Sequence, residues 1–184
     1  MRVIAGTVKG RHLKAPKRTA TRPSTDLARG AMFAILENMA SGWERVLDLF
    51  SGSGSLGIEA LSRGAGWVDF VEHDPYCCTV IKENLEATGL ENRAHVYCST
   101  AVRALSFLER EYDIILMDPP WTDQTIGGFI EQTANSKLAG ARTMVVVTHS
   151  PHLTLEPAYG PLKMIKERRH GDSFISFFNK EARI

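Results

Sequence analysis

The sequence predicts an α/β fold: a doubly wound, mostly parallel sheet covered by helices on both faces. Two observations carry this reading. From residue 45 onward, short and nearly continuous apolar runs alternate with segments of helical period, and such runs suit strands buried on both faces. The chain then closes on LKMIKERR and SFISFFN around Gly171-Asp172, which reads as a closing antiparallel pair.

Each element has its own signal. RVIAGTVKGRHLKAP sets β-branched and apolar residues on either side of Lys9-Gly10 and reads as a short hairpin. Ser24, Thr25 and Asp26 offer an N-cap for LARGAMFAILENM, where Leu27, Met32, Phe33, Ile35, Leu36 and Met39 recur at helical spacing. Gly30 weakens the first turn of that helix, and Ser41-Gly42 closes it. RVLDLF (45–50) is then a strand, and SLGIEALSRG a helix ended by Gly64. WVDFVEHD (67–74) is a strand and TVIKENLEATGL a helix stopped at Gly89. AHVYCS (94–99) and VRALSFLERE repeat the alternation, as do YDIILMD (112–118) and FIEQTANSKL, before the strand TMVVVTHS (143–150). There is no internal repeat and no long linker. The division expected is a basic extension over residues 1–26 and an α/β domain over 27–184. In such sheets ligands sit outside the carboxyl ends of the strands.

Composition narrows the class. With 184 residues and 43% apolar content the chain can bury a sizeable core. No apolar run approaches the roughly 18 to 20 residues needed to cross a bilayer, and the N-terminus lacks the apolar stretch of a secretory signal. Cys77, Cys78 and Cys98 show no paired metal spacing, so they read as reduced packing thiols of a cytoplasmic protein, with no metal and, by default, a monomer. The net charge of +1 hides an asymmetry. Residues 1–30 carry eight basic side chains against one acid, Asp26, while the remainder holds fourteen basic and twenty acidic residues. A basic head on an acidic body suits contact with a polyanion, and it equally suits a solvated arm.

DLFSGSGSLGIEAL places Gly52, Gly54 and Gly57 between a strand and a helix, where backbone N–H groups can approach a ligand closely. Glu72 ends the next strand, and a carboxylate there can accept both hydroxyls of a ribose. A nucleoside-containing cofactor follows, unless the glycines serve only a tight turn. Asp48 separates the candidates, since a dinucleotide dehydrogenase usually has apolar residues at this point of the strand. An acid suits a ligand cation such as the amino group of a methionine moiety, although nearby backbone or Arg45 would also answer it. S-adenosylmethionine therefore fits better than NAD.

DIILMDPPW ends a buried strand on an acid, two prolines and a tryptophan. With a nucleobase amino group as substrate, the Asp118 carboxylate and the Pro119 carbonyl can each accept one amino hydrogen. Their grip aims the nitrogen lone pair at an electrophilic methyl, and the carboxylate stabilises the charge that develops on the amine. Pro119 and Pro120 stiffen the turn, and Trp121 offers a face for an extruded base. The plainer alternative is a strand terminator with a packed tryptophan. His73, beside Glu72, and His149 and His152, near the end of the 143–150 strand, read as either structural or site residues.

These motifs resemble class I S-adenosylmethionine-dependent methyltransferases of amino groups. More closely, RVIAGTVKGRHLKAP, RPSTDLARGAMFAIL and RRHGDSFISFF are similar to the bacterial family, of RsmD type, that methylates guanine N2 in 16S ribosomal RNA. The resemblance implies a Rossmann-like, seven-stranded, mostly parallel sheet with a reversed last strand, and a small ribosomal subunit, assembled or assembling, as partner. It implies cofactor contacts by Asp48, Phe50, Ser51, Gly52, Gly54, Leu56, Glu72, His73, Thr100, Ala101 and Asp118. Asp118, Pro119, Pro120 and Trp121 would form the catalytic corner. Arg2, Lys9, Arg11, Lys14, Lys17, Arg18 and Arg22 would contact RNA. Relatives often carry Glu at Gly30, Tyr at Trp121 and Asp at Thr100. Here the Thr100 side chain or the Ala101 N–H would take the adenine contact. Rival readings are methylation of DNA adenine or a protein glutamine amide, a non-catalytic RNA-binding protein on the same fold, and a small NAD-dependent reductase.

Overall fold

A computed structural model describes residues 1–17 and 25–180. Its elements run α1 (Asp26–Met39), β1 (Arg45–Leu49), α2 (Ser55–Ser62), β2 (Trp67–Glu72), α3 (Pro75–Thr88), β3 (Ala94–Cys98), α4 (Ala101–Phe107), β4 (Tyr112–Met117), α5 (Ile126–Asn135), β5 (Ala139–His149), β6 (Ala158–Tyr159), β7 (Leu162–His170) and β8 (Ser173–Lys180). The strands form one sheet in the order β3-β2-β1-β4-β5-β8-β7-β6. The first five strands pair in parallel, and β8 enters antiparallel beside β5. The reversed last strand is as expected. The count of seven is corrected to eight, because Ala158 and Tyr159 add a two-residue rung to the outer edge of β7.

The apolar runs serve both faces of the sheet, as their continuity requires. Val46, Phe70, Ile114 and Val146 pack under α1, α2 and α3, while Leu47, Val71, Ile115 and Val147 pack under α4 and α5. Several ends shift from the sequence reading for local reasons. α3 begins at Pro75 because Asp74 caps it, accepting from the Tyr76 N–H at 2.8 Å. α5 begins at Ile126, after an Asp123 turn in which one carboxylate oxygen accepts from both the N–H and the hydroxyl of Thr125. α4 stops at Phe107, with Leu108 turning into the core. Cys77 and Cys78 are buried as expected, but Cys98 is exposed, because β3 is an edge strand. Among the described residues no helix is long and apolar enough to cross a membrane.

The basic head keeps the expected hairpin but departs from a regular one ahead of its turn. Its ladder joins Met1–Val3 to Arg11–Leu13, and the Arg11 N–H closes a tight turn on the Val8 carbonyl at 3.2 Å with Lys9-Gly10 at its centre, as expected, but residues 4–8 leave the ladder before that turn. The reason lies in α2. The fully buried Glu59 accepts from the Ile4 N–H at 2.8 Å and the Ala5 N–H at 3.1 Å, and Ser62 takes the N–H of Val8. Val3 and Leu13 join the core cluster beneath α1 and α2. α2 is buried from Leu56 to Ser62, with the head as part of its cover. A buried guanidinium completes the joint: Arg29 donates to the Arg2 carbonyl and to Asp26 at 3.0 Å, and lies 3.9 Å from Glu59. Arg63 adds a 2.8 Å bond to Glu59.

Candidate functional site

The glycine loop is held open by a small set of backbone contacts. Ser51 Oγ donates to the Asp48 carbonyl at 2.6 Å and also meets the Val71 backbone, which locks β1 to β2 below the loop. Phe50 takes a left-handed φ of 60°, uncommon for a bulky residue, and its ring meets Phe129 edge-on at 5.4 Å. Gly52 also has positive φ, and nothing lies within 4 Å of where its Cβ would be. Gly57 has a different reason: a Cβ there would stand 2.2 Å from the Phe70 ring, so its role is close packing of α2 on β2.

Three carboxylates converge at the strand ends. The Gly52 N–H donates to one Glu72 oxygen at 2.8 Å, and the N–H groups of His73 and Asp74 donate to the other at 2.8 and 2.9 Å. Glu72 is thereby aimed, with both lone pairs of one oxygen engaged and the other oxygen keeping one for a ligand hydroxyl. His73 itself is largely exposed, with Nδ1 at 3.0 Å from Glu72. Asp48 is fully buried; its Oδ2 accepts from the Gly57 N–H at 2.9 Å, and its Oδ1 has no partner among the described residues. Burial chiefly pushes Asp48 up to about 8; the Gly57 N–H opposes this, and the charges of Asp118 and Glu72 add to it. Asp118 is pushed up to about 6, again by burial, against the hydrogen bond donated by the Thr148 hydroxyl.

Two clefts flank the DPPW corner. One, of about 220 Å³, is lined by Phe50, Glu72, His73, Thr100, Ala101 and Pro120 among others. The other, of about 280 Å³, runs from Asp118, Trp121 and Thr148 to the start of α1 at Thr25 and the β7–β8 turn at Ser173. The Pro120 carbonyl accepts the Asp123 N–H at 2.9 Å, whereas the Pro119 carbonyl has no such partner among the described residues. Thr100 caps α4, its side chain accepting from the Arg103 N–H at 3.2 Å.

The sequence candidates thus fall into groups. Phe50, Glu72, His73, Thr100, Ala101 and Pro120 line the smaller cleft, and Asp118 and Trp121 the larger. The loop of Gly52 and Gly54 lies beside Glu72 and Asp48 through the bonds already given. Ser51 and Leu56 turn their side chains into the interior. In the head, Lys9, Arg11 and Lys17 are exposed, while Arg2 pairs with Asp26 at 3.2 Å and Lys14 with Glu83 at 2.7 Å. Arg18 and Arg22 lie outside the described residues. His149 is a buried structural link between Ser150 and Ser176. Sequence reasoning missed Thr148 and the Arg29–Glu59 joint. An acid amid the apolar residues of SLGIEAL was a usable signal for Glu59; the run VVVTHS carried none for Thr148.

Sheet order and site together define a Rossmann-like methyltransferase. The same fold is seen in the solved structure of "Putative methyltransferase yhhF" from Escherichia coli, which aligns over 100% of this chain and 99% of that one with a TM-score of 0.83 and 27% identity. The chain belongs to the family described as "Conserved hypothetical protein 95", whose model matches residues 1–179. It is 36% identical to "Putative rRNA methyltransferase YlbH" of Bacillus subtilis over 185 aligned positions, 99% of this chain and 100% of that relative. It is 35% identical to "Ribosomal RNA small subunit methyltransferase D" of Escherichia coli over 135 positions, 73% of this chain and 65% of that one.

Proposed function

We propose that this protein transfers the methyl group of S-adenosylmethionine to the exocyclic N2 of a guanine in 16S ribosomal RNA of the small ribosomal subunit. The carrying observation is the pair of clefts that flank Asp118–Trp121, one lined by Glu72 and Pro120 and the other by Asp118 and Trp121. The names of the relatives supply the RNA class. The orphaned, buried Asp48 Oδ1 fits a cofactor that brings a cationic donor. When bound, S-adenosylmethionine supplies a methyl on an electrophilic sulfonium.

The residues have separable tasks. Asp48 answers the cofactor ammonium, Glu72 a ribose hydroxyl through its remaining acceptor position, and Phe50, Thr100 and Ala101 line the place of the adenine. The loop of Gly52 and Gly54 allows backbone approach. Asp118 and the Pro119 carbonyl hold the two amino hydrogens, and Asp118 stabilises the positive charge developing on N2. Pro120 stiffens the corner, and Trp121 stacks the base. The head at residues 1–26 supplies phosphate contacts. Its pairs with Asp26 and Glu83 are exposed and therefore weak enough for a phosphate to replace.

The reading is tested by offering labelled cofactor in parallel to small subunits, naked 16S RNA, DNA and protein. Label in the RNA of small subunits or in naked 16S RNA is expected; label confined to DNA or protein would contradict it.

Two further outcomes are expected. Asp48, at about 8 in the free protein, is mostly protonated at pH 7, and a bound cation favours its anion. Cofactor binding at pH 7 should therefore release a proton, and affinity should rise with pH until about 8. Calorimetry in buffers of different ionisation enthalpy measures this; binding without proton release would show that Asp48 meets no cation. Replacing Lys9 and Arg11 by alanine should flatten the slope of log K against log salt for RNA binding by about 1 to 2. An unchanged slope would remove both from the RNA contact.

A further inference from the structure

Asp118 and Thr148 form one hydrogen-bonded unit, with the Thr148 hydroxyl donating to Asp118 Oδ1. A hydroxyl has one proton, so with that proton committed, Thr148 offers only lone pairs to anything else. Its position is fixed: it is buried on β5, in register with Ile175 of β8, and β-branched side chains have few rotamers. Both residues line the larger cleft beside Trp121. The corner therefore presents two adjacent acceptors, one anionic and one neutral.

We propose that Thr148 is a specificity residue that accepts the N1–H of the target guanine, next to the N2 amino group held by Asp118. The inference rests on the reading of the reaction given above and assigns its base selectivity. Guanine carries N1–H and N2–H as neighbouring donors on one edge, which matches two neighbouring acceptors. Adenine carries an amino group at N6 but a lone pair at N1, which would face the Thr148 oxygen lone pair to lone pair. A polar group left opposed in a buried site discriminates far more sharply than a missing methylene.

2-Aminopurine isolates this contact, because it keeps the 2-amino group and has a lone pair at N1. Small subunits reconstituted with guanine or 2-aminopurine at the methylated position give two values of kcat/KM, measured for wild type, Thr148→Val and Thr148→Ser. The wild-type preference for guanine should fall about 10-fold or more in Thr148→Val, which has the shape without the acceptor. Thr148→Ser should keep the preference within about threefold, since it keeps the hydroxyl. If Thr148 only steadies Asp118, both substrates slow equally and the ratio is unchanged, which would overturn the proposal. A serine variant with the valine ratio would also overturn it. Should the valine variant not fold, a wild-type ratio near one is sufficient to overturn it. Failure of the underlying reading is seen separately, as the absence of methylated guanine in subunits treated with wild type.

Discussion

Replacing Asp118 by alanine is expected to lower kcat for methyl transfer by about 10²–10³-fold, while cofactor affinity stays within a few-fold. The carboxylate lines the larger cleft, held by Thr148, and does not contribute to the bonds that shape the glycine loop. On the proposed reading, its removal deletes one of two acceptors that orient the amine and the charge beside the nitrogen that becomes cationic. Asp118→Asn keeps an acceptor but lacks the charge, so it should fall between alanine and wild type. The check is single-turnover transfer at saturating RNA and cofactor, together with a separate titration of cofactor binding. Equal loss of both would place Asp118 in the cofactor site instead. The same residue sets a pH limb in wild type. With Asp118 at about 6 in the free protein and active only as the anion, kcat/KM should fall as pH drops through about 6, or lower once a bound cation favours ionisation.

The largest stability effect is expected at Glu59. Its carboxylate accepts two backbone N–H groups of the head and the Arg63 guanidinium, and is the buried countercharge of Arg29. Burial pulls the Arg29 guanidinium below its ordinary value, and Glu59 and Asp26 oppose that shift. Breaking a buried pair by removing one partner costs about 3–5 kcal/mol, because the other charge is left uncompensated. Glu59→Ala should therefore lower the unfolding free energy measured by urea titration by that amount, a large share of the roughly 5–15 kcal/mol that holds an ordinary domain together. Glu59→Gln keeps acceptor atoms for Ile4 and Ala5 and should lose less. Trypsin cleavage in the 9–11 stretch should quicken in both variants, since the head loses its anchor. An alanine variant with wild-type stability and cleavage would mean that the head is held by its other contacts, Val3, Leu13 and Ser62 among them.

This joint also shows where the sequence was readable. Strands buried on both faces appear as apolar runs, so the alternation from RVLDLF to TMVVVTHS was legible, as were the glycine loop, Glu72 and the DPPW corner, whose residue types are unusual at strand ends. The tail pair was legible through Gly171-Asp172, which does form the β7–β8 turn. The two-residue β6 was not, because so short a strand leaves no period. The head was legible in charge and in its Lys9-Gly10 turn, but not in the path of residues 4–8. Its connection follows Glu59 and Ser62, more than fifty residues away, and local propensity around Lys9-Gly10 carries no trace of them. Thr148 was hidden for a related reason: one threonine in an apolar strand acquires meaning only when Asp118 stands opposite.

The most direct measurement is mass analysis of the nucleoside that receives the labelled methyl in small-subunit RNA. N2-methylguanosine is the expected product, and it should be absent with Asp118→Ala. Methyl found on adenine N6, on a ring carbon or on ribose would contradict the assignment of the Asp118–Trp121 corner to a guanine amino group.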